Sequence, residues 1–117
     1  MAAATLQELT QLVLKFRDER HWAQFHNPKD VALSLTLEAA ELLELTQWKS
    51  GEELKAHLAA NREALGDELS DILGWVLVMA SDQGIDLEAA FRRKLEKNAA
   101  KYPVEKARGQ AKKYTEL

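Results

Sequence analysis

Apolar residues along this chain recur every three or four positions, which is the period of an α-helix. Leu6, Leu9, Val13 and Phe16 form the first stripe. It opens behind Thr5-Leu-Gln-Glu8, a capping-box pattern, and fades near Arg20. His21 to Asn27 reads as a connecting loop holding two aromatics. Asn27-Pro28-Lys-Asp30 then predicts a second helix start, with Asn as cap, Pro in the first turn and an acid beside it. That helix is expected to run to about Trp48. Ser50-Gly-Glu-Glu53 offers another capping box, for a short third helix to about Ala60. From Asn61 or Arg62 a fourth helix runs to about Gln83, with Leu65, Leu69, Ile72, Val76 and Met79 as its stripe. Gly84 stops it, and Gly74 inside it suggests close packing against a neighbour or a mild weak point. Asp86 caps a last helix from about Leu87 to Lys101, which Pro103 ends. Residues 104–117 read as a polar, basic tail with no stripe. The pattern predicts an all-α fold, a bundle of four to five helices, in one domain spanning 1–117.

One stretch breaks the rule that core stripes are apolar. On a helical wheel Val31, Leu35, Leu42 and Leu45 fall within about 60° of Glu38. Glu38 thus sits on the stripe that should face inward, and Glu41 lies on its edge. An ionised carboxylate in a dry core is unfavourable unless it is paired or binds a metal. A second anomaly of the same kind is Glu68-Leu-Ser-Asp71 on the fourth helix.

Composition narrows the chemistry. The 117 residues carry 16 basic and 19 acidic side chains, a net charge of -3 that argues against a nucleic-acid polymer or an acidic membrane as partner. There is no cysteine, which excludes disulfides and thiolate metal sites and fits a cytoplasmic location. No apolar run approaches the roughly 18 residues of a membrane span. The start, Met-Ala-Ala-Ala-Thr, lacks the pattern of a signal peptide, so none is expected.

Glu38 with Glu41, and Glu68 with Asp71, are i, i+3 pairs that each present two carboxylates on one face. Such pairs are common on solvated helix faces, but the Leu and Val neighbours of Glu38 argue against that here. If the two helices pack antiparallel, four carboxylates converge. Hard oxygen ligands in that number suit Mg²⁺, with Mn²⁺ as a substitute, and a phosphate-bearing substrate to complete the shell. A di-iron bundle would need Glu-x-x-His, whereas His21, His26 and His57 all lie outside the motifs. Trp22, Trp48 and Trp75 each lie near a carboxylate motif and could stack a nucleobase. Lys94, Lys97 and Lys101 recur at helical spacing, with Asn98 and Tyr102 beside them, and could bind phosphates.

The sequence resembles the MazG-like all-α nucleoside triphosphate pyrophosphohydrolases, in particular their dCTP pyrophosphatase branch. The paired Glu38-x-x-Glu41 and Glu68-x-x-Asp71 look like the family signature. Phe16-Arg-Asp-Glu-Arg-His-Trp22-Ala-Gln-Phe-His26 is similar to its N-terminal segment, and Glu44-Leu-Thr-Gln-Trp48-Lys49 to the stretch after the first motif. Lys94-x-x-Lys97-Asn98-x-x-Lys101-Tyr102-Pro103, together with Lys113-Tyr114-Thr-Glu-Leu117, is similar to its C-terminal end. The resemblance implies cleavage between the α and β phosphates of a nucleoside triphosphate, with dCTP or a modified dCTP expected. By that analogy Glu38, Glu41, Glu68 and Asp71 are the catalytic, metal-holding set. Trp22, His26, Trp48 and Trp75 would then meet base and sugar, and Lys94, Asn98, Lys101 and Tyr102 the phosphates. The family also implies a homo-oligomer, a dimer or tetramer, with sites between packed helices and between subunits. The competing reading is a non-enzymatic helical protein that binds a nucleotide or a partner helix.

Overall fold

The computed structural model describes residues 5–117; residues 1–4, where the absence of a signal peptide is read, lie outside the described residues. The described residues form helices α1 (Leu6–Glu19), α2 (Pro28–Glu44), α3 (Gly51–Ala60), α4 (Arg62–Asp82), α5 (Leu87–Lys101) and the single turn α6 (Val104–Ala107), with 3₁₀ turns at Ala23–Phe25 and Tyr114–Glu116. No strand occurs among them, as the helical periodicity predicts.

Three helix starts follow the sequence signals in atomic detail. The Thr5 hydroxyl accepts the Glu8 N–H at 3.1 Å, the Asn27 side-chain oxygen accepts the Asp30 N–H at 2.9 Å, and the Asp86 carboxylate accepts the Ala89 N–H at 3.0 Å. Each cap of this kind stabilises its helix by about 1 kcal/mol. The fourth proposed cap does not form. Ser50 makes no side-chain capping bond, because Gly51 enters α3 in a left-handed conformation with φ 56°. Gly84, with φ 66°, ends α4 as expected.

A second correction concerns the end of α2. It stops at Glu44 and not near Trp48. Leu45 N–H and Thr46 N–H turn back to the carbonyls of Leu42 and Leu43, and the Thr46 hydroxyl also donates to Leu43 O at 3.0 Å. A Thr that satisfies a carbonyl locally competes with continued helix. Trp48 therefore lies in a turn, not two helical turns above Glu41.

Helices α1 to α4 make one compact unit that ends at Gly84; Ile85–Leu117 make a second. In the first unit α4 is the central helix, and α1, α2 and α3 all pack on it. Val31 of α2 is 2 % exposed, and Leu77, Val78 and Ala80 of α4 are likewise buried. Burying a side chain such as Val31 is worth about 1.5–3 kcal/mol. The start of α2 lies against the end of α4, where Pro28, Val31, Met79 and Asp82 line one cavity. Further along, Glu38 and Glu41 lie against Glu68 near the start of α4. The two helices thus run antiparallel, as the carboxylate reading requires. Gly74 faces Val13 of α1, but a Cβ there would meet Val13 at 3.9 Å, an ordinary contact, so the close packing read from Gly74 is not needed. In the second unit α5 leads to α6 and the C-terminal turn. There Tyr114 packs edge-on against Tyr102, with ring centres 6.0 Å apart, and beneath the Lys101 ammonium, 4.8 Å from the ring centre.

Candidate active site

Antiparallel packing of α2 on α4 brings carboxylate oxygens of Glu38, Glu41 and Glu68 within 4.8 Å of one another. Glu38 and Glu68 are half-buried and Glu41 is exposed. Asp71, one turn beyond Glu68, is exposed and stands outside this group of three. Its charge is still felt, since it raises the affinity of both Glu38 and Glu68 for a proton.

The three carboxyls are held together against their mutual repulsion. Glu38 is pushed up from 4.5 to about 7, first by burial, then by the neighbouring Glu41 carboxyl, then by the Asp71 charge. Glu68 is raised too, first by burial and then by the charge of Glu41. Desolvation and like charge act in the same direction here. One oxygen of Glu38 and one of Glu68 are buried with no hydrogen-bond partner. Buried carboxylate oxygens are almost always satisfied, so two orphans on facing helices, beside a third acid, are what a divalent cation would satisfy. The donor set is all oxygen, which suits Mg²⁺ or Mn²⁺ and does not suit a thiolate- or imidazole-seeking ion.

The aromatic candidates separate into distinct environments. Trp75, one turn along α4 from Asp71, is half-buried and meets the edge of His26 with ring centres 5.2 Å apart. Trp22 stands just before the first 3₁₀ turn, edge-on to Phe16 at 5.9 Å, and the Arg20 guanidinium lies 3.7 Å over the Phe16 ring. Trp48 is 84 % exposed and packs on none of the other aromatics. A large indole left in water has no role in the core of this chain. Lys94, Asn98, Lys101 and Tyr102 lie on α5 and its C-cap, with Asn98 half-buried and the other three exposed.

Sequence reasoning passed over one pair. Arg17 Nη1 donates to both carboxylate oxygens of Asp82, at 3.0 and 2.9 Å. The signal was available: Arg17 falls about 40° from Val13 on the inward side of α1, and Asp82 falls about 20° from Asp71 on α4.

Comparison with known proteins points to one family. The model of the MazG-like family matches residues 33–117, a span that holds all four carboxylates. The chain is 43 % identical to dCTP pyrophosphatase 1 of Bos taurus over 115 residues, which is 97 % of this chain and 68 % of that protein. The human dCTP pyrophosphatase 1 is 40 % identical over the same share of each. The crystal structure of a pyrophosphatase from Archaeoglobus fulgidus superposes with a TM-score of 0.80 at 36 % identity, covering 88 % of this chain and 96 % of that one.

Proposed function

The chain belongs to the MazG-like family, and from that membership and its carboxylate cluster we propose that it hydrolyses a nucleoside triphosphate, dCTP or a modified dCTP, to the monophosphate and pyrophosphate. The observation that carries the reading is the convergence of Glu38, Glu41 and Glu68 oxygens within 4.8 Å, where Glu38 and Glu68 each also hold a buried oxygen with no hydrogen-bond partner. These three carboxylates, with Asp71 at the rim, would hold Mg²⁺, for which Mn²⁺ could substitute. A divalent cation bound there supplies charge neutralisation on the phosphate oxygens and lowers the pKa of a bound water.

The chain's own residues do the rest. Trp22, His26, Trp48 and Trp75 take the base and sugar, since a flat exposed indole such as Trp48 gains by stacking on a heterocycle. Lys94 and Lys101 serve the phosphates as point charges, with Asn98 and Tyr102 as hydrogen-bond donors. Burial and the neighbouring Glu41 push Glu38 up to about 7, so at neutral pH the free chain keeps part of its population protonated there. Cation binding would displace that proton and couple occupancy to pH.

The reading places 1–117 as one functional domain, working in the cytoplasm on a pool of free nucleotides. It also includes a homo-oligomer, a dimer or tetramer with sites between subunits. Support comes from Leu33, Leu37, Leu43 and Leu69, each more than half exposed, around a core with few fully buried side chains. No described helix is long and apolar enough to cross a membrane. The test is incubation with each dNTP, with and without Mg²⁺, followed by assay of pyrophosphate. Pyrophosphate release that needs the cation and is fastest with dCTP is expected. Absence of turnover across the panel would return the chain to a non-enzymatic binding role.

A further inference from the structure

Glu68, Asp71, Trp75 and Asp82 fall within about 60° of one another on the α4 wheel, so the carboxylate face continues along the helix to Asp82. At that end it is neutralised by Arg17, whose guanidinium binds both Asp82 oxygens and whose side chain is 12 % exposed. Both charge-assisted bonds leave the single Nη1 nitrogen of a mostly buried Arg17 side chain and close on the two oxygens of the more exposed Asp82. The backbone of Arg17 has a second task. Its carbonyl accepts the N–H of Trp22 at 3.1 Å and that of Arg20 at 3.2 Å. Between them His21 sits at φ 54°, a left-handed conformation that a non-glycine residue holds only when its surroundings impose it. Arg17 and Asp82 also share a cavity of about 300 Å³ with His26, the residue that packs on Trp75.

We propose that Arg17, acting through Asp82, is a positioning residue: it docks the end of α1 onto the carboxylate face of α4 and so sets where Trp22 stands. The inference rests on the reading of Trp22 as a base contact. None of the three clustered carboxylates takes part in the Arg17–Asp82 pair. Loosening that pair therefore disturbs substrate binding and leaves the chemical step alone. KM should rise while kcat holds.

The test is a double-mutant cycle on dCTP turnover with Mg²⁺, using Arg17→Ala, Trp22→Ala and the double variant at a temperature where all are folded. Arg17→Ala is expected to raise KM about fivefold or more with kcat within about twofold of the starting protein. The double variant is expected to be no worse than Trp22→Ala alone, because an indole that is gone cannot be misplaced. The exchange Arg17→Asp with Asp82→Arg should restore KM. Arg17→Lys keeps the charge and replaces the rigid planar guanidinium with a flexible ammonium, so it carries the same test, at reduced size, if Arg17→Ala does not fold. If Trp22→Ala leaves KM unchanged, the base-contact reading fails and the proposal falls with it. If Trp22→Ala raises KM but Arg17→Ala does not, or the two effects simply multiply, Arg17 is a structural tie and only the positioning proposal is overturned.

Discussion

Glu38 of α2 and Glu68 of α4 face each other across the helix seam, each with a buried oxygen that no hydrogen bond satisfies. The pair is unfavourable in the free chain and would become favourable around a divalent cation.

Free of metal, the chain should lose stability as the pH rises. The ordinary value of Glu38 is 4.5 and folding raises it to about 7, so between these values the folded chain holds a proton that the unfolded chain has released. The stability this group contributes is complete below about 4.5 and is lost as the pH passes through 7. Glu68 is shifted in the same direction. Thermal melts in chelator from about pH 5 to about pH 8 should show a falling midpoint. Glu38→Gln should flatten the trend and melt higher than the starting chain at the alkaline end. A midpoint that rises with pH would contradict a crowded site.

Mg²⁺ should reverse that loss. A ligand that binds only the folded chain stabilises it by about 2.7 kcal/mol at a hundred times its dissociation constant. The shift in midpoint should be larger at about pH 8 than at about pH 6, because protons compete for the same oxygens. In Glu68→Gln the shift should shrink or vanish. A shift of equal size in that variant would place the cation elsewhere.

Trp48 and Trp75 should separate stability from binding. Trp48 is 84 % exposed, so Trp48→Ala should leave the melting midpoint nearly unchanged, within about 0.5 kcal/mol, while raising KM for the nucleotide. Trp75 is half-buried against His26, so Trp75→Ala should lower stability by about 2 kcal/mol or more as well as weakening binding. Denaturant melts and steady-state kinetics on both variants check the contrast.

The cap on α2 sets the entry of the helix that carries Glu38. Asn27→Ala removes a 2.9 Å bond to the Asp30 N–H and should cost about 1 kcal/mol of stability in a urea melt, with the m-value unchanged.

Much of this fold was legible because local rules and packing agreed. Thr5, Asn27 and Asp86 cap the helices they announce, and Gly84 ends α4. Glu38 stood out because its wheel neighbours are Leu and Val, which is the same reason it is half-buried with a raised pKa. Where local rules compete, the reading failed. Thr46 diverts the end of α2 and moves Trp48 into a turn, and Gly51 overrides the Ser50 cap. Arg17 and Asp82 lie 65 positions apart, and the wheel that turns each toward the core of its own helix does not say that they meet. Asp71 pairs with Glu68 in the i, i+3 pattern, yet it stands outside the close group of three, because spacing gives the face of a helix and not the reach of a side chain.

The most direct test of the carboxylate site is the product of dCTP turnover with Mg²⁺, measured for the starting chain and for Glu38→Gln. Equal amounts of dCMP and pyrophosphate are expected from the first, and a rate lower by about a hundredfold or more from the second, with the variant still folded. Release of dCDP and phosphate, or a Glu38→Gln variant as active as its parent, would contradict the role assigned to Glu38, Glu41 and Glu68.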